Sequence, residues 1–170
     1  MHHDRTRSER LERHSPYGPE IEARQQALKI DFGWNWLKEN EISSLERFQS
    51  IEPQVPLSQK IIWIPYVPGT KTSDFWWVKR DGCQWEMKSP DLILLSARTP
   101  KSQGLKISDV ISQDADYKDR FIIDIGDIPF THELQRQLQL YNLRRRNAPH
   151  KTIKELVIMS AGHLNDVLLK

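Results

Sequence analysis

The stretch SDFWWVKRDGCQWEMKSP, residues 73–90, decides the fold, because it reads as two strands joined by a turn. The turn carries an Asp-Gly pair, which is typical of β-hairpins. Glu86 and Lys88 are two residues apart, so a strand directs both side chains to one face of the sheet. Asp74 begins the preceding strand. The hairpin could therefore bring two carboxylates and an ammonium group together, either as an exposed salt bridge or as part of an active site.

The length of the hairpin loop sets which residues face each other. A two-residue loop would turn Asp74 away from Glu86. A three-residue loop, residues 80–82, ends in a glycine that can adopt the left-handed conformation such loops need. It would place Asp74 opposite Lys88 and Trp76 opposite Glu86. We prefer this register because it collects the apolar residues on one face. Those residues are Phe75, Trp77, Cys83, Trp85 and Met87.

Carboxylates on neighbouring strands predict a metal site. Facing backbones are about 5 Å apart, so two such groups resist ionising together unless a cation lies between them. Mg²⁺ takes one or two carboxylates and fills its other positions with water and phosphate. We therefore predict Asp74 and Glu86 as ligands of a divalent metal, and Lys88 as a catalytic cation in phosphodiester cleavage. The alternative is a solvated strand with alternating charges.

The metal that this pair is predicted to hold is Mg²⁺, and no second cofactor is expected. Carboxylate oxygens are the protein ligands that Mg²⁺ takes, and its waters can supply the attacking nucleophile. Asp74, Glu86 and Lys88 are accordingly the three residues that the sequence predicts to be catalytic.

The rest of the chain predicts a mixed α/β fold. Pro19 suits a first helical turn, Gly33 a helix end, and Ile21, Leu28 and Phe32 a buried face. Thr131 is a candidate N-cap for a helix that buries further apolar residues. The segments WNWL and ISSLERF stay unassigned, and the insert after Pro90 has an apolar start and a loop-like end. The predicted order is helix 19–33, strands 61–67, 74–79 and 83–88, helix 106–115, strand 120–125, a helix after Thr131 and a closing hairpin in 154–170.

Composition narrows the class of protein. The 170 residues fit one domain, predicted at 18–170 after a flexible polar leader, 1–17. Lys and Arg total 25 against 23 Asp and Glu, a balance that permits a nucleic-acid partner without requiring one. The single cysteine, Cys83, excludes an internal disulfide and a multi-cysteine zinc site, and we expect it to be a small core residue. No apolar run approaches the roughly 20 residues of a membrane span, and the N-terminus lacks a signal-peptide pattern.

The motif and the element order resemble the PD-(D/E)xK nuclease superfamily, with Ser73-Asp74 in place of Pro-Asp and Glu86-Met87-Lys88 as E-x-K. From about Glu20 to Leu169 the chain resembles the C-terminal tRNA-nuclease domains of contact-dependent growth inhibition (CdiA-type) toxins. The resemblance implies a restriction-endonuclease-like core of helix, three strands, helix and strand, with an added helix and a C-terminal β-hairpin.

This resemblance also implies an activity and partners. It implies a metal-dependent endonuclease that cleaves RNA, namely tRNA, or DNA, and a dedicated immunity protein. The site of action would be the cytoplasm, with the chain acting alone or as the end of a larger secreted protein. A carboxylate of the first helix often joins the metal site in the superfamily, and Glu22 or Glu20 could supply it.

Basic residues mark where nucleic acid could bind. The stretch LRRRNAPHK, residues 143–151, could grip phosphates or could cap a helix end. Lys118 and Gln113 are candidates to contact the scissile phosphate. Trp76 could stack on a base, although we favour packing under the first helix. The predicted nucleic-acid-binding residues are Arg144, Arg145, Arg146, Lys151 and Lys118, with His150 in the same cluster and Arg98, Lys101 and Lys106 as possible flanks.

Two other functions remain open from the sequence. Some related toxins have a metal-free, barnase-like ribonuclease fold, in which Lys88 would act with arginine and histidine. His132, His150 and His163 are too scattered to predict a metal site, and none has a partner that marks it as a general acid. The chain could also be a non-catalytic module that binds nucleic acid through its basic cluster and cleaves nothing.

Overall fold

A six-stranded mixed sheet forms the centre of the computed structural model, which describes residues 14–29, 36–65 and 67–170. The strands follow one another across the sheet in chain order. The first three are antiparallel, the third to fifth are parallel, and the last pair is antiparallel. This confirms the mixed α/β class. The strands are β1 Ile62–Trp63, β2 Phe75–Trp76, β3 Gln84–Lys88, β4 Arg120–Asp124, β5 Glu155–Ser160 and β6 His163–Val167.

Helices lie before the first strand and between the strands. Thr131 caps the last of them by accepting a hydrogen bond from the Leu134 backbone N–H (3.1 Å), as predicted. Asp91 and Thr99 cap two others in the same way. The helices are α1 Pro19–Ala27, α2 Glu39–Ser50, α3 Leu57–Lys60, α4 Leu92–Ser96, α5 Pro100–Ser112 and α6 His132–Gln139, with two 3₁₀ turns at Leu143–Arg145 and Pro149–Lys151.

Two hydrophobic clusters pack on opposite faces of the sheet. One contains Ile42, Leu45 and Phe48 of α2 together with the aromatic residues of the hairpin, and Ile21 of α1 lies at its margin. The other is formed by α5, α6 and the strands, and it fully buries Leu134 and Leu138 of α6 and Tyr141 just after it. Cys83 packs half-buried against the first cluster, as expected of a small core residue.

A buried ion pair fastens α2 to the sheet. The Asp124 carboxylate at the end of β4 is fully enclosed and accepts hydrogen bonds from Arg47 Nε (2.9 Å) and Ser44 Oγ (2.6 Å). The Gly126 backbone N–H donates to the same carboxylate (2.9 Å). Because Arg47 and Ser44 of α2 both donate to this buried anion, these contacts hold α2 against the end of β4.

The hairpin register differs from the predicted one by two residues. Phe75 pairs with Trp85 and Trp76 with Gln84, so the loop spans residues 78–82 instead of 80–82. The Trp77 carbonyl accepts from three successive backbone N–H groups of this loop, those of residues 80, 81 and 82. Because the shift is even, the face of every side chain is as predicted. The partners change, however, and Asp74 stands opposite Glu86 and not opposite Lys88.

Several boundaries also differ. The strands predicted at 61–67 and 74–79 are regular over only two residues each. The apolar start of the insert forms α4, and α5 begins at Pro100, earlier than the predicted Lys106. The first helix ends at Ala27. Phe32, Gly33 and most of the leader lie outside the described residues. In the described ranges no helix has the length and apolarity needed to cross a membrane.

Candidate active site

Asp74 and Glu86 form an acidic pair at the point where β2 and β3 begin to separate. The Asp74 N–H donates to the Trp85 carbonyl (3.0 Å), and Asp74 Oδ2 accepts from the Met87 N–H (2.8 Å). Glu86 is buried, with 4% of its surface exposed. Desolvation raises the pKa of Asp74 well above its usual value, and the adjacent Glu86 carboxylate and a carboxyl–carboxylate hydrogen bond raise it further. The pair therefore favours one bound proton or a cation.

Two lysine side chains form ion pairs at this site, Lys118 with Glu86 and Lys88 with Asp114. Lys118 forms an ion pair with Glu86 Oε2, although no donor meets hydrogen-bond geometry at that oxygen among the described residues. Lys88 forms an ion pair with Asp114 at the end of α5. Burial alone would lower the pKa of Lys88, but Asp114 and the two acidic side chains raise it above its ordinary value. Lys88 is therefore held in place as a cation beside the pair.

A cavity of about 280 Å³ opens beside the acidic pair. It lies between β3 and the first turns of α2, which contributes Glu41 and Ser44. Glu41 Oε1 accepts from the Lys38 backbone N–H (3.0 Å), which fixes the carboxylate at the start of the helix. The lining residues are Lys38, Asn40, Glu41, Ser44, Leu45, Trp63, Asp74, Glu86, Met87, Lys88 and Ser89.

Glu41 is the helical carboxylate on the cavity wall, whereas the sequence pointed to Glu22 or Glu20. Glu22 accepts a hydrogen bond from the Ser15 N–H (3.2 Å) and is not among the lining residues. Glu20, at the start of α1, is not among them either. Glu41, which was not predicted, lies in α2, the helix that contains the unassigned segment ISSLERF. The spacing of Ile42, Leu45 and Phe48 was the available signal, since it marks a helix with one buried face.

The chemistry of these groups fits a divalent cation with an incomplete protein cage. Within the described ranges, no three His, Cys, Asp or Glu side chains gather closely enough to hold a metal ion. Mg²⁺ does not need three, since one or two carboxylates suffice when waters and a substrate phosphate complete its shell. Asp74 and Glu86 supply two, and Glu41 faces the same cavity.

The basic cluster is largely engaged by the protein itself. Arg145 lies over the Tyr141 ring (4.4 Å) and reaches the Ser108 carbonyl (3.5 Å). Lys151 Nζ donates to the Ser112 carbonyl (2.7 Å) and to Asp116 (2.9 Å). Arg144 donates to the Gln137 side chain (2.8 Å). Arg146 is exposed and makes no side-chain hydrogen bond or ion pair with the described part of the chain.

The other candidates fall in different places. Lys118 forms an ion pair with Glu86, so its ammonium group contacts the acidic pair. Its predicted contact with the scissile phosphate stays a prediction. Gln113 is exposed at the end of α5. Trp76 is 40% exposed, so the favoured packing under the first helix is wrong. The histidines remain scattered: His132 and His163 are exposed, and His150 lies 3.5 Å from Asp116.

Comparisons with known proteins add no relative to this description. No protein-family model matches the chain, and no curated protein or solved structure matches it significantly.

Proposed function

We propose that the protein is a metal-dependent endonuclease that hydrolyses phosphodiester bonds at the Asp74–Glu86 pair. The observation that carries the proposal is the pair of buried Glu86 and half-buried Asp74, which opens onto a cavity with a third carboxylate, Glu41, and a fixed ammonium group, Lys88. Two adjacent carboxylates that are both desolvated are costly in a protein that only needs to be stable. Such groups are commonly found where charge is used for function.

Each residue has a distinct part in the proposed reaction. Asp74 and Glu86 would hold Mg²⁺, and Glu41 lines the same cavity. The ion would lower the pKa of a bound water and neutralise charge on the phosphate. Lys88 would donate a hydrogen bond to a phosphate oxygen as negative charge develops there. Asp114 positions Lys88 and keeps it protonated, and Lys118 balances the charge of Glu86.

The size of the cavity supports a phosphate as its occupant. About 280 Å³ corresponds to roughly nine waters at about 30 Å³ each. That is room for a hydrated ion and one phosphate group. The sugars and bases of the substrate would then lie outside, across the surface of the sheet.

The family proposal rests on the motif and the order of elements. Asp74 directly before the second strand, Glu86-x-Lys88 on the third and a helix before the next parallel strand support the proposal of a PD-(D/E)xK nuclease with a restriction-endonuclease-like core. The resemblance to CdiA-type toxin domains makes tRNA the proposed substrate. It also makes a dedicated immunity protein the proposed partner, and such a partner would cover the cavity.

A cleavage assay tests this proposal. Total tRNA and plasmid DNA are incubated with the purified protein in Mg²⁺ or in EDTA, beside Glu86→Gln and Lys88→Ala. Glu133→Gln and Lys154→Ala are matched controls, because both residues are exposed and lie outside the cavity lining. We expect cleavage that requires Mg²⁺, is lost in the two site variants and persists in the controls.

Other outcomes assign the alternatives. Cleavage that persists in EDTA would replace the proposal with a metal-independent ribonuclease. A folded protein that binds nucleic acid and cleaves neither substrate would be a binding module. Cleavage of plasmid DNA in preference to tRNA would keep the chemistry and change the substrate.

A further inference from the structure

Two exposed aromatic side chains lie on either side of the acidic pair. Trp76 follows Asp74 in β2 and is 40% exposed. Tyr117 is 67% exposed and belongs to the turn after α5, which also carries Asp114 and Lys118. Those two residues contact Lys88 and Glu86 respectively, so the turn borders the site.

The sheet register places Trp76 on the same face as the catalytic residues. Trp76 pairs with Gln84 of β3 and with Ile62 of β1. Side chains two residues apart share a face, so Gln84 lies on the face of Glu86 and Lys88, about 7 Å from one to the next. Ile62 is 55% exposed and Gln84 is also exposed. Together Ile62, Trp76 and Gln84 form an open platform one step from the acidic pair.

Trp76 is unlike the two other tryptophans of the hairpin. Trp77 and Trp85 are buried and pack edge to face with ring centroids 4.9 Å apart. Trp76 has no ring contact and no side-chain hydrogen bond with the described residues. Leaving so large an aromatic surface in water gives up the stabilisation that burial would provide. The side chain is thus available to a ligand with a flat apolar face.

Tyr117 is held at the opposite end of the site. Its backbone N–H and that of Lys118 both donate to the Asp114 carbonyl (3.1 Å each), which fixes the turn. The Lys71 ammonium lies 5.6 Å from the centre of the Tyr117 ring. Gln84, the partner of Trp76, lies two residues before Glu86, whereas Lys88, which pairs with Asp114 of the Tyr117 turn, lies two residues after it, so Trp76 and this turn lie toward opposite ends of the acidic pair. An aromatic ring beside an exposed cation is suited to one nucleotide, with its base on the ring and its phosphate at the ammonium.

We propose that Trp76 and Tyr117 stack the bases on the two sides of the scissile phosphate, and that the substrate is therefore unpaired nucleic acid, a single strand or a loop. This inference rests on the proposed nuclease function and deepens it. In a duplex the base faces are stacked on one another and cannot reach side chains of this kind. An unpaired strand can lay its phosphate in the cavity and turn one base to each ring.

Binding without cleavage tests the inference. Fluorescence anisotropy in EDTA would measure the affinity of the wild-type protein for a labelled oligouridine of about 12 nucleotides, its DNA counterpart and an RNA duplex. We expect Trp76→Ala and Tyr117→Ala each to weaken single-strand binding roughly 5- to 150-fold, the range for loss of one stacked base. Trp76→Phe should recover most of the affinity. Tyr17→Ala is the control, since Tyr17 is an exposed tyrosine before α1.

The outcomes separate this inference from the nuclease proposal. Single-strand affinity that both alanine variants leave unchanged, in a protein that still cleaves, would overturn the stacking role and leave the function standing. Duplex binding as tight as single-strand binding would overturn the substrate class. A folded protein that neither binds nor cleaves would overturn both. The RNA and DNA arms identify the sugar that the surface accepts.

Discussion

Replacing Asp74 with asparagine should stabilise the metal-free protein at neutral pH. Burial and the adjacent Glu86 carboxylate raise the pKa of Asp74 in the folded state well above its value in the unfolded chain, which is near 3.9. The folded protein therefore binds this proton more tightly than the unfolded chain does. The resulting stabilisation is complete below the unfolded-state pKa and is lost as the pH rises through the folded-state pKa. Asparagine cannot ionise, and its oxygen can still accept from the Met87 N–H.

The size of the effect follows from linkage. Each unit by which folding raises the pKa of Asp74 lowers the free energy of unfolding at high pH by about 1.4 kcal/mol. For a chain of this length, 1 kcal/mol corresponds to roughly 2–4 °C in Tm. Mg²⁺ should reverse the loss in the wild type, by about 2.7 kcal/mol when its concentration is 100 times its Kd. It should do much less for Asp74→Asn.

Chemical denaturation in EDTA across the pH range from acid to slightly alkaline would measure this. The free energy of unfolding of the wild type should fall relative to that of Asp74→Asn as the pH rises. Asp127→Asn is the control, because Asp127 is an exposed aspartate after β4. If the wild type and Asp74→Asn have parallel pH profiles, the carboxyl is not desolvated against Glu86 and the reasoning is refuted.

Other perturbations test the surroundings of the site. In denaturation experiments in EDTA, Lys118→Ala should lower the free energy of unfolding by about 3 kcal/mol, because it leaves the buried Glu86 carboxylate unpaired. Adding Glu86→Gln to the same chain should recover part of this loss. Arg47→Ala should cost about 2–3 kcal/mol in the same measurement, because Asp124 is fully buried and Arg47 is its ionic partner. Arg146→Ala should leave Tm unchanged, and if Arg146 contacts a phosphate it should reduce the salt dependence of RNA binding by about 0.7–0.9 in log–log slope. Equal slopes for wild type and variant would remove Arg146 from the interface.

The faces of the hairpin could be predicted from its sequence, whereas its pairing could not. Alternation of Phe75, Trp77, Trp85 and Met87 fixes which side is buried, because a shift by one residue would expose all of them. A shift by two leaves the faces unchanged, so hydrophobicity does not distinguish the registers. Contacts of the loop decide between them: Asp81 accepts hydrogen bonds from the Cys83 N–H (2.9 Å) and the Trp85 indole (3.2 Å). The two-residue alternation of apolar side chains does not reveal such contacts.

The carboxylate on the helix was assigned to the wrong element for a related reason. Pro19 marks the start of α1, so Glu22 in the first turn of that helix was predicted as the helical carboxylate. The N-cap of α2 is Lys38, which is not one of the residues that usually mark a helix start. Which helix lies beside the sheet is set by tertiary contacts, here the Asp124–Arg47 ion pair. A single sequence does not reveal a pairing between residues so distant in the chain.

Charge runs are the least informative part of this sequence. Arg145 and Lys151 belong to a dense basic cluster, yet both are used within the fold, on Tyr141 and on Asp116. Conversely, Lys118 stands apart from that cluster and lies against Glu86. Local density of charge predicts a solvated face or a grip on phosphate equally well. The three-dimensional partners decide between these two roles.

The most direct test of the central claim is a calorimetric titration of Mg²⁺ into the wild-type protein and into Glu86→Gln, with Glu41→Gln as a third sample. If Asp74 and Glu86 form a cation site, the wild type should bind one equivalent of Mg²⁺, Glu86→Gln should show no binding, and Glu41→Gln should bind more weakly. Identical titrations for the wild type and Glu86→Gln, with both proteins folded, would contradict a metal site at the acidic pair.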